Sequence, residues 1–233
     1  MISIITSLYK SERHLPRFIR QTRNVSVYLE RRGIAHEFLL LPNSPSKEEE
    51  ELLTHSSIPR ARVIPRALES LYATWNAGVQ EAAYEQVCFW NVDDSRFGSA
   101  IKSGLDTLKS GADIVYFPFV YLRYIVIWRL RLLIKAIIVN PPEFSKERFS
   151  EEMHCGPFLM FTKKAFLKVG PFDDSFKIAG DFDWSARAAI VGLQFVRNGS
   201  IAGIFTNDGK TLSGGRDSRH QTENDRVHSL TKE

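Results

Sequence analysis

The segment VCFWNVDD, from Val87 to Asp94, places two adjacent carboxylates directly after a run of strand-forming residues. Ligands of open α/β sheets bind at the carboxyl ends of the strands, so Asp93 and Asp94 stand where a ligand is expected. Paired carboxylates suit a hard divalent cation that also binds phosphate oxygens. The segment therefore predicts a metal site that carries a diphosphate. The structural alternative is that the two aspartates open a loop and cap a helix starting near Gly98.

Strand-like and helix-like segments alternate on both sides of this motif. The predicted strands are residues 2–6, 36–41, 61–64, 87–92, 113–120 and 159–161. The predicted helices are residues 11–32, 47–55, 68–84 and 99–109. Alternation of this kind is typical of crossover connections in a parallel sheet, so the order predicts an α/β domain.

The composition favours one large domain. The 233 residues are 43% hydrophobic and 12% aromatic, which is enough to bury a full core. The formal charge of +4 fits a phosphate-bearing ligand or an anionic membrane surface, and no feature of the sequence supports nucleic acid binding. The two cysteines, Cys88 and Cys155, form neither a disulfide framework nor a zinc-ligand spacing. Residues 1–9 lack a charged leader, so we expect a cytoplasmic protein.

The segment from Tyr116 to Val139 raises the question of membrane contact. It is rich in aromatic and aliphatic residues, but it is interrupted by four cationic residues, which are Arg123, Arg129, Arg131 and Lys135. These charges make it a poor transmembrane span. Two interpretations stay open: a strand followed by a partly buried helix, or a basic, apolar helix that contacts an anionic membrane through residues 121–139. The second interpretation would place the protein peripherally at the inner face of the membrane.

Three stretches match one known pattern in order. They are SIITSLY at residues 3–9, WNAG at residues 75–78 leading to NVDD at 91–94, and GPFLMFTKKAFLKVGPFDDSFKIAGDFDW at residues 156–184. Through them, the chain resembles the family 2 glycosyltransferases, nucleotide-sugar-dependent enzymes with the GT-A fold. The resemblance implies a mixed, mainly parallel sheet flanked by helices, with residues 1–213 as a single domain. Residues 214–233 are predicted to be a polar tail, either a mobile flap over the donor or a disordered end.

The resemblance also implies a chemistry, that of an inverting transferase dependent on Mn²⁺ or Mg²⁺. Asp94, assisted by Asp93, would hold the metal, which takes the charge of the diphosphate leaving group. Asp181 would act as the general base that receives the proton of the acceptor hydroxyl. The implied donor-binding residues are Ser7, Tyr9, Asn43, Asn76 and Asp93. The implied partners are a nucleotide-sugar donor and a saccharide or lipid-linked saccharide acceptor.

Several positions depart from the family pattern. They are Pro42 and Asn43 in place of an acidic pair, Trp75 in place of an arginine, Asn91 in place of an acid, and Gly180 in place of a glutamate. These departures leave open a catalytically silent module that binds a nucleotide or a carbohydrate. A nucleotidyltransferase is a further alternative, although residues 6–14 contain no glycine for the phosphate-binding loop typical of such enzymes.

Two site assignments have structural alternatives. Asp181 and Asp183 are also the residue type that stabilises the amino end of a helix through its dipole. Tyr9 either stacks on the donor base or packs near the end of the first strand.

Overall fold

The mixed α/β architecture expected from the sequence is present in the computed structural model, which describes residues 1–128, 130–209 and 218–230. The strands are β1 (Ile2–Leu8), β2 (His36–Pro42), β3 (Ala61–Val63), β4 (Gln86–Phe89), β5 (Ser95–Arg96), β6 (Ile114–Tyr116), β7 (Phe119–Ile127), β8 (Leu130–Val139), β9 (Met160–Thr162), β10 (Phe195–Arg197) and β11 (Gly203–Asn207). The helices are α1 (Leu15–Glu30), α2 (Lys47–Thr54), α3 (Leu71–Glu81), α4 (Gly98–Lys109), α5 (Lys146–Glu151), α6 (Lys163–Val169), α7 (Gly180–Ile190) and α8 (Ser218–Leu230).

The main sheet has seven strands in the order β10-β6-β9-β4-β1-β2-β3. All neighbours pair in parallel except β9, which runs antiparallel between β4 and β6. Both faces of the sheet are covered, since Ile4 and Ile5 of β1 are fully buried in two separate hydrophobic clusters. Double burial explains why the central strands are near-continuous apolar runs in the sequence. The prediction of a mixed, mainly parallel sheet flanked by helices is confirmed.

Two helices start later in the chain than predicted. The predicted helix at 68–84 begins at Leu71, because the Ser70 hydroxyl accepts a hydrogen bond from the Ala73 amide at 3.1 Å. The predicted helix at 11–32 begins at Leu15, followed by Pro16 in its first turn, where proline is tolerated because its missing N–H has no partner in any case.

The helix that both interpretations placed within residues 121–139 is wrong, whereas the strand of the first interpretation is present as β7. This segment forms an antiparallel hairpin of β7 and β8, which are the last two strands of a second, four-stranded sheet ordered β5-β11-β7-β8. Its β-branched residues favour an extended chain, and they are Ile125, Val126, Ile127, Ile134, Ile137, Ile138 and Val139. The predicted strand at 113–120 is likewise divided into β6 and the start of β7, on either side of Pro118. Within the described residues, no helix has the length and apolar character needed to cross a membrane.

The polar tail contains a docked helix. Val227 of α8 is fully buried, and the Glu223 carboxylate accepts hydrogen bonds from three backbone amides just before α7, those of Lys177, Ile178 and Ala179, at 2.8–2.9 Å. The expectation of a disordered end is therefore wrong for residues 218–230. Residues 214–217, the start of the predicted flap, lie outside the described residues. The domain boundary at residue 213 also falls there and stays a prediction.

Glu223 is expected to stabilise the start of α7. The change Glu223→Ala leaves three backbone donors without their carboxylate, so we expect the free energy of unfolding to fall by about 1–2 kcal/mol, as for loss of a helix cap. Urea unfolding followed by circular dichroism measures this difference. The matched control is Asp225→Ala, an exposed acid on the same helix. Equal stability of the Glu223→Ala variant and wild type would contradict the capping role.

Candidate functional site

The carboxylate pair lies in a turn after β4, at the carboxyl edge of the main sheet. Asp94 is only 1% exposed, and its two carboxylate oxygens accept hydrogen bonds from the Thr206 amide at 3.0 Å and the Asn91 side-chain amide at 3.4 Å. The Asp94 amide also donates to the Asn91 carbonyl at 3.0 Å, which closes the turn. Asp94 therefore ties the turn to β11 in the second sheet.

Asp93 is the more accessible of the two carboxylates. Burial raises the pKa of Asp93, and the nearby charges of Arg17 and Arg13 oppose that rise. The pKa of Asp94 is also raised, first by burial and then by the charge of Asp93. Two desolvated carboxylates side by side are unfavourable as a pair of anions, and a cation bound between them would relieve this cost.

The donor set of this turn fits one particular kind of metal site. Among the described residues, no group of three or more His, Cys, Asp or Glu side chains is arranged to hold a metal ion. The described residues therefore do not form a metal site in which protein side chains supply all the ligands. Mg²⁺ and Mn²⁺ need no such cage when one or two carboxylates act together with substrate phosphates and water. Asp93 and Asp94 fit a metal that is shared with a diphosphate.

Three charged residues missed by the sequence reasoning surround Asp93. The Arg17 guanidinium donates to the Asp93 carbonyl, and Arg13 forms a 3.0 Å ion pair with Asp208, which follows β11. Arg13 lies in the turn before α1 and Arg17, four residues later, lies in the first turn of α1, so the start of this helix places both cations near Asp93. That spacing directly after β1 was the available sequence signal. The two guanidinium groups supply positive charge where a diphosphate is expected.

A groove of about 480 Å³ opens beside the ends of β1 and β2. Its lining consists of Tyr9, Lys10, Glu12, Ser44, Ser46, Glu49 and Leu68. The Tyr9 side chain is 49% exposed and is therefore able to stack on a planar base, while Ser7 is partly buried at the end of β1. The amide of Asn43 donates to the Leu8 carbonyl at 2.8 Å, which brings the two strand ends together.

Two predicted donor ligands have side chains that bond within the protein. The Asn43 side chain is 4% exposed and bonds both the amide and the carbonyl of Glu69, at 2.9 and 2.8 Å. The Asn76 side chain bonds the amide and the carbonyl of Phe172 in the same way, at 2.9 and 2.8 Å. Each amide thus joins two chain segments, and a donor contact by either residue stays a prediction.

Asp181 lies in the first turn of α7, where one carboxylate oxygen accepts a hydrogen bond from the Phe182 amide at 2.9 Å. The same oxygen is 3.5 Å from the Tyr72 hydroxyl, which donates to the Ile178 carbonyl at 2.6 Å. Burial raises the pKa of Asp181 to about 6, against the smaller lowering effects of these hydrogen bonds. A carboxylate with this pKa is ionised at neutral pH and is a stronger base than an ordinary aspartate.

Asp181 belongs to the same edge of the sheet as the carboxylate pair. Asn43, at the end of β2, holds Glu69 and so fixes the start of α3, where Tyr72 contacts Asp181. The second acid of α7, Asp183, is not available as a general base, because it is 3% exposed and pairs with Arg187 at 2.7 Å. The helix-dipole alternative applies to both acids, because both lie in the first turn of α7 and Asp181 also accepts the hydrogen bond of the Phe182 amide.

Two departures from the family pattern have packing explanations. A Cβ atom on Gly180 would lie 2.6 Å from the Tyr72 ring, so Tyr72 fills the space in which a glutamate side chain would start. Trp75 is 7% exposed and stacks on Phe89 with ring centroids 4.1 Å apart. It is a core residue, and an arginine would not fit the same aromatic cluster.

Tyr72 is expected to contribute to the pKa of Asp181, which burial determines first. The hydroxyl of Tyr72 lowers the pKa of Asp181, so the change Tyr72→Phe should raise that pKa above about 6. Since a base must be ionised, activity would then begin to fall at a higher pH than in wild type. The acidic limb of the pH profile of kcat/KM measures this shift. An acidic limb that stays in place, or moves to lower pH, would contradict the contact.

The fold resembles that of S. aureus TarS in solved crystal structures. TarS 1–349 in complex with UDP-GlcNAc matches with a TM-score of 0.69 and 12% identity over 99% of this chain and 71% of that chain. The complex of TarS 1–349 with UDP matches with a TM-score of 0.64 and 12% identity, and the match covers 99% of this chain and 70% of that chain. A further TarS structure matches with a TM-score of 0.64 and 13% identity, and the match covers 88% of this chain and 36% of that chain. No protein-family model and no curated protein matches the chain.

Proposed function

We propose that this protein is a metal-dependent, inverting glycosyltransferase of the family 2 type, which moves a sugar from a nucleotide donor to a saccharide or lipid-linked saccharide. The observation that carries the proposal is the presence of Asp93, Asp94 and Asp181 at one edge of a GT-A sheet. The binding of UDP-GlcNAc and UDP by TarS, which has this fold, supports a uridine nucleotide as the first donor to test.

Donor binding is proposed to use the edge formed by β1, β2 and the turn after β4. Tyr9 stacks on the base and Ser7 contacts the nucleotide, while Asn43 and Asn76 hold the segments that shape the site. Asp93, supported by Asp94, would hold Mn²⁺ or Mg²⁺, and the bound metal would supply Lewis-acid stabilisation of the diphosphate leaving group. Arg13 and Arg17 add positive charge beside the diphosphate.

Transfer is proposed to depend on Asp181. Its carboxylate accepts the proton of the acceptor hydroxyl as the oxygen attacks the anomeric carbon and the bond from that carbon to the diphosphate breaks. A single displacement of this kind inverts the anomeric centre. The raised pKa of Asp181 suits this role, because a stronger base removes the proton more readily.

The alternative is a silent module that binds the nucleotide without transferring the sugar. The internal engagement of the Asn43 and Asn76 amides favours it, because both are then less available to a donor. Turnover distinguishes the two functions. We expect release of the nucleoside diphosphate from a panel of UDP-sugars when Mn²⁺ and a mixture of saccharide acceptors are supplied. The anomeric proton of the product, observed by NMR, should have the inverted configuration. Binding of a donor with no release would favour the silent module.

A further inference from the structure

The β7–β8 hairpin extends beyond the sheet to which it belongs. β11 pairs with β7 only between Val120 and Arg123, whereas β7 and β8 continue pairing with each other as far as Ile127 and Leu130. The outer part is therefore a two-stranded ribbon, which projects by roughly 13 Å at about 3.3 Å per residue. A ribbon with only two strands has little intrinsic stability in water.

This ribbon exposes large apolar side chains. Trp128 at its tip is 97% exposed, and the other exposed apolar residues of the hairpin are Ile125, Leu130, Leu132, Leu133, Ile134, Ile137 and Ile138. Isolated apolar residues are ordinary on a protein surface, but a group of this size on one hairpin indicates an interaction site.

The charges of the hairpin favour one kind of partner. Residues 114–142 contain no Asp or Glu and four Lys or Arg. Arg123 and Lys135 face each other across the strands, an arrangement in which like charges repel. Arg131 lies over the Tyr124 ring, 3.8 Å from its centroid. No salt bridge joins these three cations to a carboxylate in the described parts of the chain.

We propose that the β7–β8 hairpin binds the surface of an anionic lipid bilayer, with Trp128 and its aliphatic neighbours inserted at the interface and the cations contacting lipid headgroups. Apolar residues, an aromatic tip and unpaired basic residues are the combination that such surfaces bind. A second copy of the chain fits less well, since pairing two β8 edges would bring together two strands that each carry Arg131 and Lys135 and no acid.

The hairpin also lies on the side of the molecule that carries the candidate site. β11 runs parallel to β7 and is followed by Asp208, which pairs with Arg13. Burial and then the charges of Arg13 and Arg17 lower the pKa of His14 to about 4, and Arg131 of the hairpin adds to this effect. A hairpin bound to a bilayer would therefore hold the start of α1 close to the lipid surface.

Co-sedimentation with vesicles tests this proposal on the whole chain. We expect the protein to sediment with vesicles of phosphatidylcholine and phosphatidylglycerol, and not with phosphatidylcholine alone. The double change Arg131→Gln and Lys135→Gln should weaken binding roughly 25-fold, at about fivefold per cation. Trp128→Ser should weaken it roughly tenfold through loss of interfacial burial. The matched control, Lys164→Gln with Lys168→Gln, removes two exposed cations elsewhere and should bind almost as wild type.

Three results would overturn the proposal. One is wild-type protein that stays in the supernatant with anionic vesicles, and another is equal weakening by both double changes, which would indicate a general charge effect. The third is a concentration-dependent dimer that Trp128→Ser abolishes in sedimentation equilibrium without lipid, which would assign the hairpin to a second copy. Circular dichroism of each variant verifies that the fold is kept.

Discussion

Replacing Asp181 by asparagine is expected to lower kcat by about 10²–10⁴-fold, the range that a positioned general base contributes. Asparagine keeps the size of the side chain, and its oxygen still accepts the hydrogen bond from the Phe182 amide. Binding of the donor should therefore change little. Steady-state kinetics together with calorimetric titration of the donor separate the two effects.

The pH profile gives the same prediction a second measurement. Because the pKa of Asp181 is raised to about 6, wild-type kcat/KM should fall as the pH drops through that value, where the carboxylate gains a proton. The residual activity of Asp181→Asn should lack this acidic limb. Asp174→Asn, which changes an exposed acid just before α7, is the matched control and should behave as wild type. Full activity in Asp181→Asn would contradict its role as the base.

The two carboxylates after β4 are expected to differ when each is replaced. Asp93→Asn should weaken metal-dependent donor binding by more than the 10–100-fold that follows loss of an outer partner of a metal ligand. Its stability should stay close to that of wild type, since Asp93 is only partly buried.

The change Asp94→Asn should act first on stability. Its new NH₂ group would face either the Thr206 amide or the Asn91 side-chain amide, both of which donate to the carboxylate in wild type. One buried donor would lose its acceptor, at a cost of about 1–3 kcal/mol. Urea unfolding and donor titration of both variants provide the comparison, with Asp106→Asn as an exposed control. Equal losses of stability and of binding in the two variants would contradict these separate roles, in which Asp93 acts on metal-dependent binding and Asp94 acts first on stability.

The parts of the fold that the sequence predicted are those with a strong local pattern. β1, β2 and β4 are buried on both faces, so their apolar runs are visible without any knowledge of neighbours. The position of Asp93 and Asp94 follows from the end of such a run. The catalytic role of Asp181 could be predicted only from the family resemblance, because an acid in the first turn of a helix is also explained by its interaction with the helix dipole.

The parts that the sequence did not predict depend on contacts between distant residues. The hairpin at 119–139 has cations interrupting an apolar run, and the pairing of β7 with β8 and with β11 decides for strands over a helix. Helix α8 is polar, and it is held by Glu223 at the start of α7, a contact more than forty residues away in the chain. The engagement of Asn43 with Glu69 similarly has no local signal.

The most direct test of the central claim is calorimetric titration of the whole chain with UDP, UDP-GlcNAc and other nucleoside diphosphate sugars, with Mn²⁺ and without it. The account predicts binding of at least one of these ligands that requires the metal and that is lost in Asp93→Asn. Absence of binding by wild type to every member of the panel, under both conditions, would contradict a nucleotide-sugar site and leave the likeness to TarS as one of fold.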